Sequence, residues 1–177
     1  MLDFNTLWQG KWVSIVSPKE HPYECLYEND IVCVIPMDKQ TGKVGVRSEF
    51  CPPYLIKDET GEDLYYTLVT GVVEDKENVK DAAFRELKEE SGADIKQVEV
   101  IDLPALPIFK NLAMRLNIFV MKISDMEIDE AVGDGTDYES KSKTLWLSPE
   151  EIKDIVLNKE NYDILFLLLY FMLESGE

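Results

Sequence analysis

A helix that carries acidic side chains on its apolar side most constrains the fold of this chain. Residues 79–91 contain neither glycine nor proline, and Asn78 before them is a typical N-cap residue, with Asp81 three positions on. Gly92 stands where a left-handed residue commonly ends a helix. The pattern therefore predicts a helix over residues 79–91.

Glutamates fall on the apolar side of this predicted helix. The apolar sector consists of Val79, Ala82, Ala83 and Leu87. At about 100° per residue, Glu86 and Glu90 lie inside that sector and Glu89 lies on its edge. Carboxylates turned toward a core are costly unless a cation compensates them, and like charges four residues apart repel. The phase indicates a metal site, although a solvated acidic face stays the alternative in a glutamate-rich chain.

A wider frame surrounds these acids. It reads Gly71, five residues, Glu77, seven residues, and then Arg85-Glu86-Leu87-Lys88-Glu89-Glu90-Ser91-Gly92-Ala93. Seven specified residues at this spacing coincide by chance roughly once in 10⁷ to 10⁸ starting points. The frame resembles the Nudix box at every specified position. The resemblance implies an α+β fold, a Nudix-type α/β/α sandwich with a mixed β-sheet and a catalytic helix.

The resemblance also implies a chemistry and a set of roles. Nudix hydrolases cleave a diphosphate linked to a nucleoside or another moiety with the help of Mg²⁺, with Mn²⁺ as an alternative. By resemblance, Glu86 and Glu90 are the principal metal ligands, Glu89 is a third ligand close to the chemistry, and the Gly71 carbonyl is a further one. The box arginine, Arg85, is expected to organise the glutamates through ion pairs, with Glu77 as a partner.

Many family members use a carboxylate outside the box as general base, on a loop before a late strand. The acidic residues nearest the predicted strand at 143–147 are Asp134, Asp137 and Glu139. Glu139 is the first choice for the base and Asp137 the second. The alternative is that this loop is acidic because it is solvated.

The layout resembles the ADP-ribose pyrophosphatase-like subgroup, through Arg47 with the prolines that follow it and through Pro107 after the box. That subgroup often has an arginine where Cys51 stands and a glutamate where Thr67 stands. We expect ADP-ribose or a similar ADP-sugar as substrate, with Arg47 at a phosphate or ribose and with Phe109, or else Trp8 or Trp12, stacked on a base. Dinucleoside polyphosphates, nucleotide sugars, NADH and nucleoside triphosphates are alternative substrates, and a non-catalytic nucleotide-sensing module is the alternative of another class.

Charge restricts the partners. The chain has 35 acidic and 18 basic residues, which gives a formal charge of −17. Such a chain repels nucleic acid and anionic membranes, so a phosphorylated substrate needs a cation such as Mg²⁺. Three cysteines and one histidine favour neither a disulfide framework nor a zinc site. The N-terminus shows no secretory pattern, so a cytoplasmic location is expected.

The remaining sequence predicts one domain over residues 1–177, with residues 1–29 as an N-terminal strand region. Strands are expected at 12–16, 23–27, 30–37 and 43–50 as an antiparallel meander, then at 64–69, 98–103, 116–123 and 143–147. A loop is expected at 124–142, a helix from Ser148-Pro149, and an apolar helix over 161–174. Its run of ten apolar residues is too short to cross a membrane, which takes about 20 residues. This run or the region around Trp8 is a candidate surface for a homodimer.

Overall fold

A computed structural model describes residues 4–11, 13–20, 23–50, 64–128, 142–158 and 161–176. Its strands are β1 (Phe4–Gln9), β2 (Ser14–Pro18), β3 (Cys25–Tyr27), β4 (Ile31–Asp38), β5 (Val44–Phe50), β6 (Leu64–Thr67), β7 (Val69–Val72), β8 (Ala93–Asp102), β9 (Leu106–Pro107), β10 (Leu112–Ala113), β11 (Arg115–Ile128) and β12 (Lys143–Leu147). Its helices are α1 (Val79–Ser91), α2 (Pro149–Asn158) and α3 (Ile164–Ser175).

The strands of the described residues form two sheets. The smaller sheet has the order β1-β2-β3-β10, and the larger one has the order β12-β5-β4-β11-β8, with β6 beside β5, β7 beside β4 and β9 beside β11. The single meander predicted for the first half is therefore wrong, because β2 and β3 belong to one sheet while β4 and β5 belong to the other. Strand β4 pairs with β5 and β7 along one edge, and along its other edge it pairs with β11, which runs parallel to it.

The larger sheet is covered on both faces. Alternate residues of β4 serve the two sides: Val32 and Val34 pack with α1, whereas Cys33 and Ile35 pack with α2 and α3. A strand buried on both faces reads as the continuous apolar run seen in this segment. The result is three layers, helix, mixed sheet and helices, and the predicted α+β sandwich is confirmed.

Several strand boundaries differ from the predicted ones; β8, for example, begins at Ala93 and not at residue 98. The expected strand at 64–69 is two strands that pair with different neighbours, and Gly71 lies inside the second one instead of ending it. The expected loop from residue 124 is wrong for its first five residues, because β11 continues to Ile128 opposite β8. Met126 packs against the core there, so the acidic residues around it mark the solvent face of a strand.

The apolar helix α3 begins three residues later than predicted. Asp163 is its N-cap, and its carboxylate accepts hydrogen bonds from the backbone N–H groups of Leu165 and Phe166, both at 3.0 Å. Among the described residues, every helix is too short or too polar to cross a bilayer.

Candidate metal and catalytic site

Both ends of α1 are fixed by local caps. The side chain of Asn78 accepts a hydrogen bond from the backbone N–H of Lys80 at 2.8 Å. At the other end Gly92 has φ 68°, and its N–H donates to the carbonyl of Lys88 at 2.9 Å. The predicted helix bounds are confirmed, and they set which side of α1 faces the sheet.

The acidic side chains of α1 differ in exposure as the helical phase predicts. Ala82, Ala83 and Leu87 are fully buried against the sheet. The side chains of Glu86 and Glu90 are 13% and 15% exposed, whereas that of Glu89 is 49% exposed. The two inner carboxylates are one helical turn apart on the same side, close to the core.

Gly71 in β7 makes room for the carboxylate of Glu86. It pairs with Val32 in the ladder between β7 and β4. A methyl group on Gly71 would overlap the Cγ, Cδ and Oε1 atoms of Glu86. Only glycine leaves space for this carboxylate, which therefore lies directly against the backbone of β7.

Arg85 connects the acids of the loop and the helix. Its Nε and Nη2 atoms donate to the two carboxylate oxygens of Glu77, each at 2.9 Å, as a bidentate pair. Its Nη1 donates to Glu86 at 2.7 Å and to Glu89 at 3.2 Å, and Nη2 also donates to the carbonyl of Val72 at 3.0 Å. All five N–H groups of the guanidinium are thus used, and the predicted pairing with Glu77 is present.

The pKa values of Glu77 and Glu86 are shifted in opposite directions. Hydrogen bonds from Arg85 lower the pKa of Glu77 to about 2. Burial raises the pKa of Glu86, because desolvation outweighs its hydrogen bond with Arg85. The pKa of Arg85 is raised, chiefly by the hydrogen bonds with Glu77, so the cation that holds this cluster stays charged.

A second arginine lies at the C-terminal end of α1. Arg47 of β5 has a side chain that is only 6% exposed, and its Nε atom is 3.3 Å from Oε2 of Glu90 and 3.5 Å from Oε2 of Glu49. Its Nη1 donates to the backbone carbonyl of Glu90 at 3.0 Å and to the hydroxyl of Thr144 at 3.3 Å. The predicted contact of Arg47 with substrate stays a prediction, and this burial does not favour it.

Sequence reasoning missed two residues of this arrangement. Glu49 lies two positions from Arg47 on the same face of β5, and its carboxylate accepts a hydrogen bond from Tyr65 at 3.3 Å. Burial raises the pKa of Glu49 against the opposing effect of Arg47. The period of two between Arg47 and Glu49 was a usable signal, whereas Thr144 reaches the site only through the pairing of β12 with β5.

The donor set fits a hard divalent cation. Mg²⁺ prefers carboxylate and carbonyl oxygens and keeps several waters, so two or three protein ligands are enough. Glu86 and Glu90 supply mostly buried carboxylates one turn apart, and Glu86 lies in the space that Gly71 leaves. Among the described residues no three acidic, histidine or cysteine side chains converge on one point.

Two other candidate residues, Phe109 and Trp8, are exposed. Phe109 is in the connection between β9 and β10, and it is 61% exposed. Trp8 lies in β1 and is exposed. Glu139 and Asp137, the predicted general bases, lie outside the described residues, as do Asp134, Trp12 and Cys51.

Comparisons with known proteins bear on this site. A family model of the NUDIX domain matches residues 29–168. A crystal structure of an ADP compounds hydrolase is similar to the chain with a TM-score of 0.62 and 18% sequence identity, and the match covers 99% of this chain and 94% of that one. At this identity the likeness concerns the fold. No protein with a curated description matches the chain.

Proposed function

The chain belongs to the Nudix hydrolase family, and from that premise we propose that it is a Mg²⁺-dependent pyrophosphohydrolase. Its substrate is a nucleoside diphosphate derivative, with ADP-ribose or a similar ADP-sugar as the first choice. Water cleaves the diphosphate bond and yields a nucleoside monophosphate and a phosphorylated remainder. For ADP-ribose the products are AMP and ribose 5-phosphate.

One observation carries the proposal. Two carboxylates one turn apart, Glu86 and Glu90, are held close to the core, and a glycine at position 71 leaves room for one of them. Buried acids of one charge are costly, so a fold keeps them where a cation compensates them. A phosphate-rich substrate also needs positive charge that this acidic chain otherwise lacks.

The resemblance to the family supports a role for each residue. Glu86 and Glu90 would hold the metal, with Glu89 and the Gly71 carbonyl as further ligands. Arg85, which is paired with Glu77, keeps Glu86 and Glu89 in place. A bound divalent ion neutralises charge on the diphosphate and lowers the pKa of a bound water. Glu139, with Asp137 as the second choice, takes a proton from the attacking water.

The choice of an ADP-sugar is supported by the fold that the chain shares with an ADP compounds hydrolase. Thr67 qualifies this choice, because its hydroxyl is buried and donates to Asp163 at 2.7 Å. That side chain is used in the cap of α3 and is not available to a substrate. The same chemistry on dinucleoside polyphosphates, NADH or nucleoside triphosphates therefore stays the second candidate, and Phe109 is proposed to stack on the base in either case.

We further propose one domain over residues 1–177 that functions in the cytoplasm as a homodimer. Leu7 and Trp8 of β1 are exposed large apolar side chains, about half accessible, and they support a partner surface in the N-terminal region. A monomeric mass by light scattering would contradict the dimer.

The test is hydrolysis of ADP-ribose by the purified protein with Mg²⁺, with products resolved by chromatography. Glu90→Gln should abolish turnover while the fold is kept, and Glu150→Gln, an exposed acid at the start of α2, is the matched control. Chelation of the metal should stop the reaction and added Mg²⁺ should restore it. A fully active Glu90→Gln variant would contradict the proposal.

A panel of alternative substrates distinguishes the remaining candidate functions. Turnover of dinucleoside polyphosphates or NADH without ADP-ribose keeps the reaction and changes the substrate. Tight metal-dependent nucleotide binding without product would favour the sensing module instead.

A further inference from the structure

Arg47 lies beneath the metal site. It is in β5, opposite Thr67 of β6 on one side and Thr144 of β12 on the other. Its side chain is directed to the end of α1 and is almost entirely buried. The guanidinium therefore contacts the helix that carries the acids, and most of the Arg47 side chain is shielded from solvent.

The guanidinium contacts one residue of α1 at two places. The carbonyl of Glu90 lies in the last turn, where backbone oxygens lack an intrahelical donor. Arg47 Nη1 donates to this oxygen at 3.0 Å, and the hydroxyl of Thr144 donates to it at 2.7 Å. The Nε atom of the same guanidinium is 3.3 Å from the carboxylate of Glu90.

These contacts restrict the direction of the Glu90 side chain. The backbone carbonyl of Glu90 accepts hydrogen bonds from side chains of two strands, β5 and β12. Its carboxylate oxygen Oε2 forms an ion pair at 3.3 Å with Nε of the same guanidinium, which does not donate a hydrogen bond to it. The guanidinium of arginine is rigid, so its Nε and Nη1 atoms keep a fixed separation. Glu90 is therefore oriented by a group that itself cannot rotate freely.

Arg47 also balances charge. Glu49 and Glu90 both carry mostly buried carboxylates, and Arg47 lies within 3.5 Å of both. Glu49 is held from its other side by the hydroxyl of Tyr65. Removal of the guanidinium would leave two carboxylates without this cation in a poorly solvated place, where an unpaired charge is strongly destabilising.

We propose that Arg47 is a positioning residue, which orients Glu90 for metal binding through its carbonyl and carboxylate and does not contact the substrate. The proposal rests on the function proposed above, in which Glu90 is a metal ligand. Partners that orient metal ligands typically change metal affinity or activity by about 10- to 100-fold when they are replaced.

Four variants test this role. Arg47→Lys keeps the charge and loses the rigid fork, and Arg115→Lys, an exposed arginine of β11, is the matched control. Thr144→Val removes the second donor to the Glu90 carbonyl with little change in shape. Glu49→Gln removes the other acid beside Arg47 and leaves the contacts to Glu90 in place.

The readouts separate metal binding from substrate binding. Mn²⁺ affinity is measured by electron paramagnetic resonance without substrate. The Mg²⁺ concentration for half-maximal activity and the KM at saturating Mg²⁺ are measured by kinetics, and stability is measured by urea unfolding.

For Arg47→Lys we expect Mn²⁺ affinity to fall about 10- to 100-fold, the Mg²⁺ requirement to rise in parallel, and KM at saturating Mg²⁺ to stay as in wild type. Thr144→Val should show a smaller change of the same kind. Glu49→Gln and Arg115→Lys should keep wild-type metal affinity.

Other results overturn the proposal. A raised KM with unchanged Mn²⁺ affinity would show that Arg47 contacts substrate, and a loss of stability alone would show a purely structural role. If Arg47→Lys fails to fold, unchanged Mn²⁺ affinity of Thr144→Val overturns it. If the wild-type protein binds Mn²⁺ but hydrolyses no substrate, the proposed function is refuted, and the Mn²⁺ affinities of the variants still test the role of Arg47. If the wild-type protein neither binds Mn²⁺ nor hydrolyses substrate, the proposed function and the role of Arg47 are both refuted.

Discussion

Replacement of Gly71 by alanine separates the space around Glu86 from the stability of the fold. The added methyl group would lie at about half the ordinary contact distance of roughly 3.5 Å from the Cδ atom of Glu86. The backbone of Gly71 does not have positive φ, so alanine fits the local conformation. The strain therefore falls on the Glu86 side chain from Cγ outward, and its carboxyl group must move by roughly 2 Å to reach ordinary contact.

This movement breaks the 2.7 Å contact between Glu86 and Arg85. A partly exposed ion pair contributes only about 0.2–1 kcal/mol, and alanine in a compatible strand position restores part of that. The free energy of unfolding should thus change by about 1 kcal/mol or less. Activity is more sensitive, because a misplacement of about 1 Å in a catalytic arrangement can cost 100-fold. We expect kcat/KM to fall about 100-fold or more, and Mn²⁺ affinity to fall with it.

Gly42→Ala is the matched control. Gly42 has φ +69° and no neighbour within 4 Å of a built methyl group. Alanine there costs about 1–2 kcal/mol of stability through the left-handed backbone, and activity should be unchanged. Urea unfolding and steady-state kinetics on both variants give the comparison. Full activity and metal binding in Gly71→Ala would refute the reasoning, and so would a Gly71→Ala variant that does not fold.

Further predictions concern pH, capping and substrate contact. Folding lowers the pKa of Glu77 from 4.5 to about 2. The contribution of Glu77 to stability is therefore present above pH 4.5 and is lost as the pH falls toward 2. Glu77→Gln should flatten the acid unfolding curve between these pH values, and an unchanged curve would contradict the pairing with Arg85. Asp163→Ala removes the acceptor of two backbone N–H groups and of Thr67, and urea unfolding should show a loss of about 2 kcal/mol, where a loss near zero would count against the cap. Phe109→Ala should leave unfolding unchanged, since the ring is mostly exposed, and should raise KM; an unchanged KM would remove Phe109 from the substrate site.

The parts of the site that could be predicted are those fixed within one stretch of chain. Asn78 and Gly92 cap α1 through backbone groups two to four residues away. The resemblance paired Glu77 with Arg85, and a loop and about two helical turns bring them together. The phase of Glu86 and Glu90 follows from the helix alone. Such contacts depend on local geometry, which the residue pattern specifies directly.

The parts that could not be predicted depend on which strands pair. Arg47 reaches Glu90 because β5 lies under the end of α1, and Thr144 joins them because β12 is the neighbour of β5. The sequence between these strands indicates neither pairing. The meander was wrong for the same reason, because β4 pairs with the distant β11 and not with β3. The end of β11 was missed for another reason, because the acidic residues on its solvent face resemble those of a loop.

The parallel pairing of β4 with β11 also determines when the enzyme can fold. Val32 is opposite Asn117 in that ladder, so closure of the central pair must wait until β11 has left the ribosome. Such long-range pairs slow folding and leave apolar strands exposed in the meantime. The acids of α1 are made well before β11 and β12, yet α1 packs on Phe119 and Thr144 caps its last turn. A nascent chain that ends before Arg115 therefore lacks the central strand pair and the contacts that hold α1 in place, so the acids of α1 reach their final positions only after β11 and β12 have been synthesised.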